Sequence, residues 1–218
     1  MLEGSIAVIG GTGKLGMALA RRLGKAGRSV IIGSRSAQSA AKVAGEVGFG
    51  LIGLSNAEAA ATGSIVFVTV PFAAQEATLN EIAPHVSGKI VVDTTVPLVP
   101  PKVMRAQLPP EGSAAQRAQK LLGSAVSVVS AFHNVAAHKL ATDQDVECDV
   151  LVFGDDKAAR AQVVALVELT GLRGIHGGAL ANSAAAEALT SVLIFVNKTY
   201  QVDGAGLLIS GPLGRPTL

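Results

Sequence analysis

Tryptophan is absent from this 218-residue chain, tyrosine and cysteine occur once each, and aromatic residues make up only 3% of it. So few rings leave no stacking platform for single-stranded nucleic acid. With a net charge of +2 and no basic block, the chain also lacks the electrostatic footprint that a nucleic-acid backbone requires. The lone cysteine, Cys148, excludes an internal disulfide and any metal site built from several thiolates. Beside an apolar run, it reads as a buried structural thiol. No uninterrupted apolar run approaches the ~18 residues expected of a membrane span. The first apolar run begins almost at residue 1, with no basic leader before it, so a soluble cytoplasmic protein without nucleic-acid or membrane partners is expected.

What the chain does have is a glycine loop in a telling place. The run Ile6-Ala7-Val8-Ile9 has the unbroken apolar character of a strand buried on both faces. Gly10-Gly11-Thr12-Gly13-Lys14-Leu15-Gly16 follows at once, and Gly11, Gly13 and Gly16 meet the spacing G-x-G-x-x-G. In that pattern Gly11 is expected to permit the tight turn, Gly13 to let the backbone approach a pyrophosphate, and Gly16 to let the next helix pack on the sheet. The helix that follows carries Leu15, Ala18, Leu19, Leu23 and Ala26 on one face, with Lys14, Arg21, Lys25 and Arg28 elsewhere. Its first N–H groups and positive dipole end suit an anion. Strand, glycines and helix in this order indicate a bound dinucleotide.

A second apolar run, Val30-Ile31-Ile32, ends in Gly33-Ser34-Arg35. Folds that select NAD place an acid about 20 residues beyond the loop to bind the ribose 2′-hydroxyl. Here the nearest downstream acid is Glu46. Ser34 can donate to a 2′-phosphate and Arg35 can fork onto it, so the expected dinucleotide is NADP. Thr12 offers a further donor from the glycine loop.

Strand-like and helix-like stretches then alternate: helix 37–46, a short strand or turn at 50–53, helix 57–62 capped by Asn56, and strand Ile65–Val70 stopped by Pro71. Helix 75–83 and strand 90–93 follow, then a proline-rich loop over 94–110, helix 113–122 and strand 126–131. The pattern predicts an α/β, Rossmann-like, doubly wound parallel sheet over residues 1–140. Residues 141–218 are expected to form a small C-terminal α/β or helical cap. They hold a strand at 150–153, a helix at 158–170, a long helix from Ser183 to Tyr200, capped by Asn182 or Ser183, and a tail strand at 205–210. That last helix is apolar nearly all round, which in so small a domain predicts a homodimer interface.

Acid–base candidates are few. His85, His138 and His176 read as surface or structural residues, whereas His133 follows the carboxyl end of a strand, where ligand-facing loops belong. From the residues alone, cofactor contact and a loop histidine bonded to backbone are equal readings. Short-chain dehydrogenase chemistry needs Tyr-x-x-x-Lys. It is excluded because Gly204 stands four residues after Tyr200. A non-catalytic NADPH-binding redox sensor remains an alternative. In imine-reductase-like enzymes Lys198 would be the catalytic lysine, but it reads better as a solvated lysine near a helix end.

The chain resembles the NADP-dependent reductases of coenzyme F420, a 5-deazaflavin hydride carrier. The likeness rests on the glycine loop, on Gly33-Ser34-Arg35, and on Lys89–Val92 with the Val96–Pro100 loop. It continues through Val129–Ala137, Cys148–Val150, Gly154–Asp156 and Leu180–Ser183, and ends with Glu187–Thr190. The chain departs from some relatives at Phe72 and at Ser191–Val192. The resemblance implies an oxidoreductase with NADP along the glycine loop and its nicotinamide beyond the ends of strands 65–70 and 90–93, beside Val70 and Pro71. It implies that His133, Val135 and Thr190 contact the deazaflavin. Hydride then passes directly between the two small-molecule partners, with no catalytic side chain and no metal. A flavin or another small acceptor in the same cleft is the other alternative.

Overall fold

Short apolar runs need burial on both sides, and here they obtain it in the middle of one large sheet. A computed structural model describes residues 4–214 and 216. Strand β1 (Ile6–Ile9) passes through the glycine loop into α1 (Lys14–Lys25), β2 (Val30–Ser34) into α2 (Ala37–Val47), and β3 (Ile52–Ser55) directly into α3 (Asn56–Thr62). Strand β4 (Ile65–Val68) precedes α4 (Phe72–Ile82), and β5 (Ile90–Asp93) is joined by a long irregular segment to α5 (Ala114–Leu122). Strand β6 (Ser127–Ser130) is followed by the four-residue α6 (Ala137–Leu140), then by β7 (Asp149–Phe153), α7 (Lys157–Leu169), β8 (Arg173–Gly178) and α8 (Ser183–Tyr200).

The eight strands form one sheet in the order β3-β2-β1-β4-β5-β6-β7-β8. The first six are parallel in the doubly wound order, with Ile6 beside Val30 and Ile65. Strand β7 joins antiparallel to β6, and β8 pairs parallel to β7. Residues beyond 140 therefore extend the first sheet instead of starting a second.

Side chains alternate between two cores, as a strand's two-residue period requires. Ile6 and Val8 face Leu19 and Leu23 of α1, Ala40 of α2 and Leu166 of α7. Ala7 and Ile9 face Ala59 of α3, Leu79 of α4 and Ala118 of α5. Each buried leucine or isoleucine contributes about 1.5–3 kcal/mol relative to exposure.

Several local expectations are corrected. Strand β4 ends at Val68, two residues before the predicted end at Val70. Ser55, not Asn56, caps α3: it accepts from the Glu58 N–H, and Glu58 reaches back to the Ser55 N–H. Asn56 is instead buried and donates to Glu81. Strand β8 has half its residues as glycine and carries no strand signal. Contact demands those glycines: a Cβ on Gly177 would fall 2.2 Å from the Phe153 ring. The 205–210 tail forms no strand and instead crosses the start of β7, where Asp149 N–H donates to Leu207 O and Asp149 Oδ2 accepts from Ile209 N–H. Neither Asn182 nor Ser183 caps α8 with its side chain.

Helix α8 brings a further correction. With the 3-10 turn before it, Leu180–Tyr200 is long and apolar enough by length and composition to cross a membrane, at a hydropathy of 1.3. Interleaved Ser, Thr and Asn hide this from a search for unbroken apolar runs. Val192, Phe195 and Tyr200 are exposed on it.

Candidate cofactor site

Because β1–β6 run the same way, their carboxyl ends share one edge, and the glycine loop lies there with the segments after β2, β4, β5 and β6. The left-handed turn falls on Gly10 (φ 72°), one residue before the position expected. Gly11 is required for space instead, since a Cβ there would come 2.6 Å from the Val8 carbonyl. Gly16 lets α1 approach as expected: its Cβ would meet Thr69 Oγ1 at 2.6 Å and the Gly11 Cα at 2.7 Å. Gly13 is exposed and would meet only the Gly10 carbonyl, at 3.3 Å, so the protein itself hardly demands a glycine there.

Gly13 is the N-cap of α1 and supplies no side-chain hydrogen bond, and no acid occupies the first turn. The opening N–H groups of a twelve-residue helix thus face an anion-ready space beside Thr12, Lys14 and Leu15. Ser34 ends β2 half-buried, and Arg35 is exposed just beyond it. Among the described residues no partner engages the Arg35 guanidinium. Val70 packs close to the loop, since a Cβ on Gly10 would strike its Cγ1 at 2.6 Å. Pro71 follows as the N-cap of α4. The glycine loop, Ser34, Arg35, Val70 and Pro71 are therefore gathered at one edge of the sheet.

The second group also converges. A cleft of about 400 Å³ is lined by His133, Val135 and Thr190, together with Asn134, Leu193 and Ile194. Phe132, the residue before this wall, lies in the left-handed region (φ 66°), a conformation non-glycine residues rarely adopt. Its ring is buried near Phe67. The Thr190 hydroxyl donates to the His133 carbonyl at 2.9 Å, and Asn134 Nδ2 donates to Thr190 Oγ1 and to the Ala186 carbonyl. His133 itself is buried: its Nε2 lies 2.6 Å from Ser130 Oγ, and burial pushes its pKa down to about 4. The imidazole is thus neutral near neutral pH. Two larger hollows, of about 750 and 540 Å³, lie along α5 and contain none of the expected site residues.

Sequence reasoning missed a buried polar cluster near the end of β5. Asp93 and Glu187 are each 1% exposed. Asp93 accepts from Gln75 Nε2 at 2.5 Å and from the Thr95 N–H at 3.0 Å. Glu187 accepts from the N–H groups of Ala114 and Ala115, at the start of α5. Burial raises the pKa of both, and that of Glu187 is pushed up to about 7 with a contribution from the Asp93 charge. The available signal was positional: apart from histidine, Glu187 is the lone ionisable residue between Arg173 and Lys198.

Comparison with known proteins bears on this arrangement. The sequence model of the family described as "NADP oxidoreductase coenzyme F420-dependent" matches residues 5–97. The chain is 39% identical to the F420-dependent NADP reductase of Methanocaldococcus jannaschii, over 94% of this chain and 97% of that one. It is 38% identical to the enzyme of the same name from Methanothermobacter thermautotrophicus, over 94% of each. A crystal structure from an Arthrobacter species, described as a candidate F420-dependent NADP reductase, superposes with a TM-score of 0.85 at 25% identity. That match covers 96% of this chain and all of the other.

Proposed function

The chain belongs to the family of F420-dependent NADP reductases, and we propose that it moves a hydride reversibly between NADP(H) and coenzyme F420. The full-length likeness to two archaeal reductases carries this reading. The relatives lend nothing to the alternatives, a non-catalytic sensor and a reductase of a flavin or another small acceptor.

In this reading the open N-terminus of α1, with Gly11, Thr12, Gly13, Lys14, Leu15 and Gly16, takes the pyrophosphate. Ser34 and Arg35 hold the 2′-phosphate, and Val70 and Pro71 border the nicotinamide. His133, Val135 and Thr190 wall the deazaflavin, with the buried imidazole shaping the cleft behind its backbone. Residues 1–140 hold the dinucleotide, and residues 141–218 complete the cleft and the contact with a second copy. Bound together, the two small molecules supply the hydride-giving and hydride-taking carbons. The chain contributes binding, orientation and exclusion of water.

A homodimer through α8 accounts for Val192, Phe195 and Tyr200, which are 50%, 52% and 73% exposed. A second copy suits this face better than lipid, because Ser183, Glu187 and Ser191 bury the opposite side of the helix in the body. The enzyme is then cytoplasmic, with small-molecule partners alone besides its own copy.

The test is anaerobic mixing of protein, NADPH and oxidised F420, following the deazaflavin absorbance. Rapid bleaching with NADPH, much slower with NADH, is expected. Tight NADPH binding without bleaching would overturn the assignment of the acceptor.

A further inference from the structure

Asn134 follows His133 on the segment after β6, is only 8% exposed, and lines the cleft. Its Nδ2 donates to the Ala186 carbonyl at 3.0 Å and to Thr190 Oγ1 at 3.1 Å. A backbone carbonyl only accepts, so the Ala186 contact fixes which end of the amide is nitrogen. Thr190 agrees with that polarity: its hydroxyl hydrogen goes to the His133 carbonyl at 2.9 Å, and its oxygen accepts from Asn134. Both amide hydrogens of Asn134 are thereby used, and its Oδ1 is left as an acceptor.

Among the described residues no donor reaches that oxygen. Unlike Gln75 Oε1, which is buried and unpaired, it is not enclosed by protein, and the cleft is the open space that Asn134 lines. An amide oxygen held in one orientation by two bonds at its own nitrogen is a preorganised acceptor. Val135, Leu193 and Ile194 give the same cleft apolar lining. A ligand that covers the oxygen without offering a donor strands a polar atom away from water.

We propose that Asn134 is a specificity-determining residue for the hydride acceptor: its Oδ1 accepts a hydrogen bond from a ring N–H of the bound molecule. The proposal rests on the reading of this cleft as the acceptor's seat. Deazaflavins and flavins both carry such a donor, the imide N3–H of the pyrimidinedione ring, and keep it in their oxidised and reduced forms. A quinone offers carbonyl oxygens alone, which would face Oδ1 as further acceptors, so the cleft disfavours it. Thr190 has a different part, because its hydroxyl hydrogen ties α8 to the His133 carbonyl and is not free for a ligand. A site built to pair an N–H rejects a ring lacking it more sharply than an apolar wall does, since its own polar atom is then left unpaired.

The test is binding of oxidised F420 and of its N3-methyl derivative to the full chain at saturating NADP, read by deazaflavin fluorescence. The wild type is expected to bind the methylated ring about tenfold or more weakly. Asn134→Leu keeps the volume and removes the acceptor, so F420 falls to the level of the methylated ring. Thr190→Val loosens the same wall but keeps the Asn134 oxygen, so both rings weaken and the preference stays. Equal binding of the two rings by the wild type overturns the proposal, and that comparison needs no variant to fold. A preference that survives in Asn134→Leu is steric and overturns it as well. Riboflavin and N3-methylriboflavin, titrated in parallel, separate the contact from the identity of the acceptor. If the chain binds only the flavin pair and prefers the unmethylated ring through Asn134, the contact stands and the assignment of F420 falls. If neither pair binds, the cleft is not the acceptor's seat and both fall.

Discussion

Replacing Gly13 and Gly16 by alanine, one at a time, should separate binding from folding. A methyl group on Gly16 would lie 2.6 Å from Thr69 Oγ1, 2.7 Å from the Gly11 Cα and 2.9 Å from the Gly10 carbonyl. Two of those three neighbours are backbone in the glycine loop, so relief requires the loop or α1 to move. Overpacking of this kind costs about 1–3 kcal/mol. For a chain of this size each kcal/mol lowers Tm by roughly 2–4 °C. Gly13 has an ordinary φ of −80°, and its methyl would meet only the Gly10 carbonyl, at 3.3 Å. The poorer N-cap character of alanine and the smaller entropy of its unfolded chain, each about 0.5–1 kcal/mol, nearly cancel. Gly13→Ala is therefore expected to melt within about 2 °C of the wild type. It should lose at least about tenfold in NADPH affinity, because the methyl occupies the approach of the pyrophosphate. Thermal unfolding without ligand and fluorescence titration with NADPH read the two effects. Wild-type affinity in Gly13→Ala, or a wild-type melting temperature in Gly16→Ala, would refute the reasoning.

Three further outcomes are expected. Arg35→Ala should weaken NADPH by about 1.5–3 kcal/mol, the loss of a charge-assisted contact, and leave NADH binding unchanged in the same titration. Equal losses would contradict the 2′-phosphate assignment. Glu187 is an acid whose folded pKa, about 7, lies above its unfolded value of 4.5. The unfolded state therefore ionises first. Stability from this group is complete below about pH 4.5 and is lost as pH rises towards 7, by on the order of 3 kcal/mol. Denaturant midpoints should fall across that window in the wild type and much less in Glu187→Gln; parallel profiles would contradict this. Phe195→Glu should halve the mass measured by light scattering, and an unchanged mass would remove α8 from the interface.

The glycine loop and its flanking strand were legible because each property needed there leaves a mark in one short segment: apolar run, glycine spacing, amphipathic helix. Ser34-Arg35 was legible for the same reason, as a strand end lacking an acid. The assignment of the turn to Gly11 was not, because the spacing names the glycines without saying which one takes positive φ. Strand β8 was hidden because Gly174 and Gly177 answer to Val164 of α7 and Phe153 of β7, neighbours on other elements that leave no mark within the strand. The Asp93–Glu187 cluster was hidden likewise. Burial and hydrogen bonding across 73 residues, as between Glu187 and Ala114, leave no local periodicity. His133 was found by position, but the inward turn of its ring depends on Ser130 and on the backbone of Phe132.

Direct passage of hydride between the two bound molecules is the central claim, and isotope transfer tests it most directly. NADPH carrying deuterium at the reactive face of nicotinamide C4 would be oxidised by F420 on the enzyme in ordinary water, and the reduced deazaflavin examined by NMR. The account predicts the deuterium at C5 of the product, with none released to solvent. Unlabelled product, with deuterium in the water, would mean that the hydride travels through an exchangeable carrier and would contradict the account.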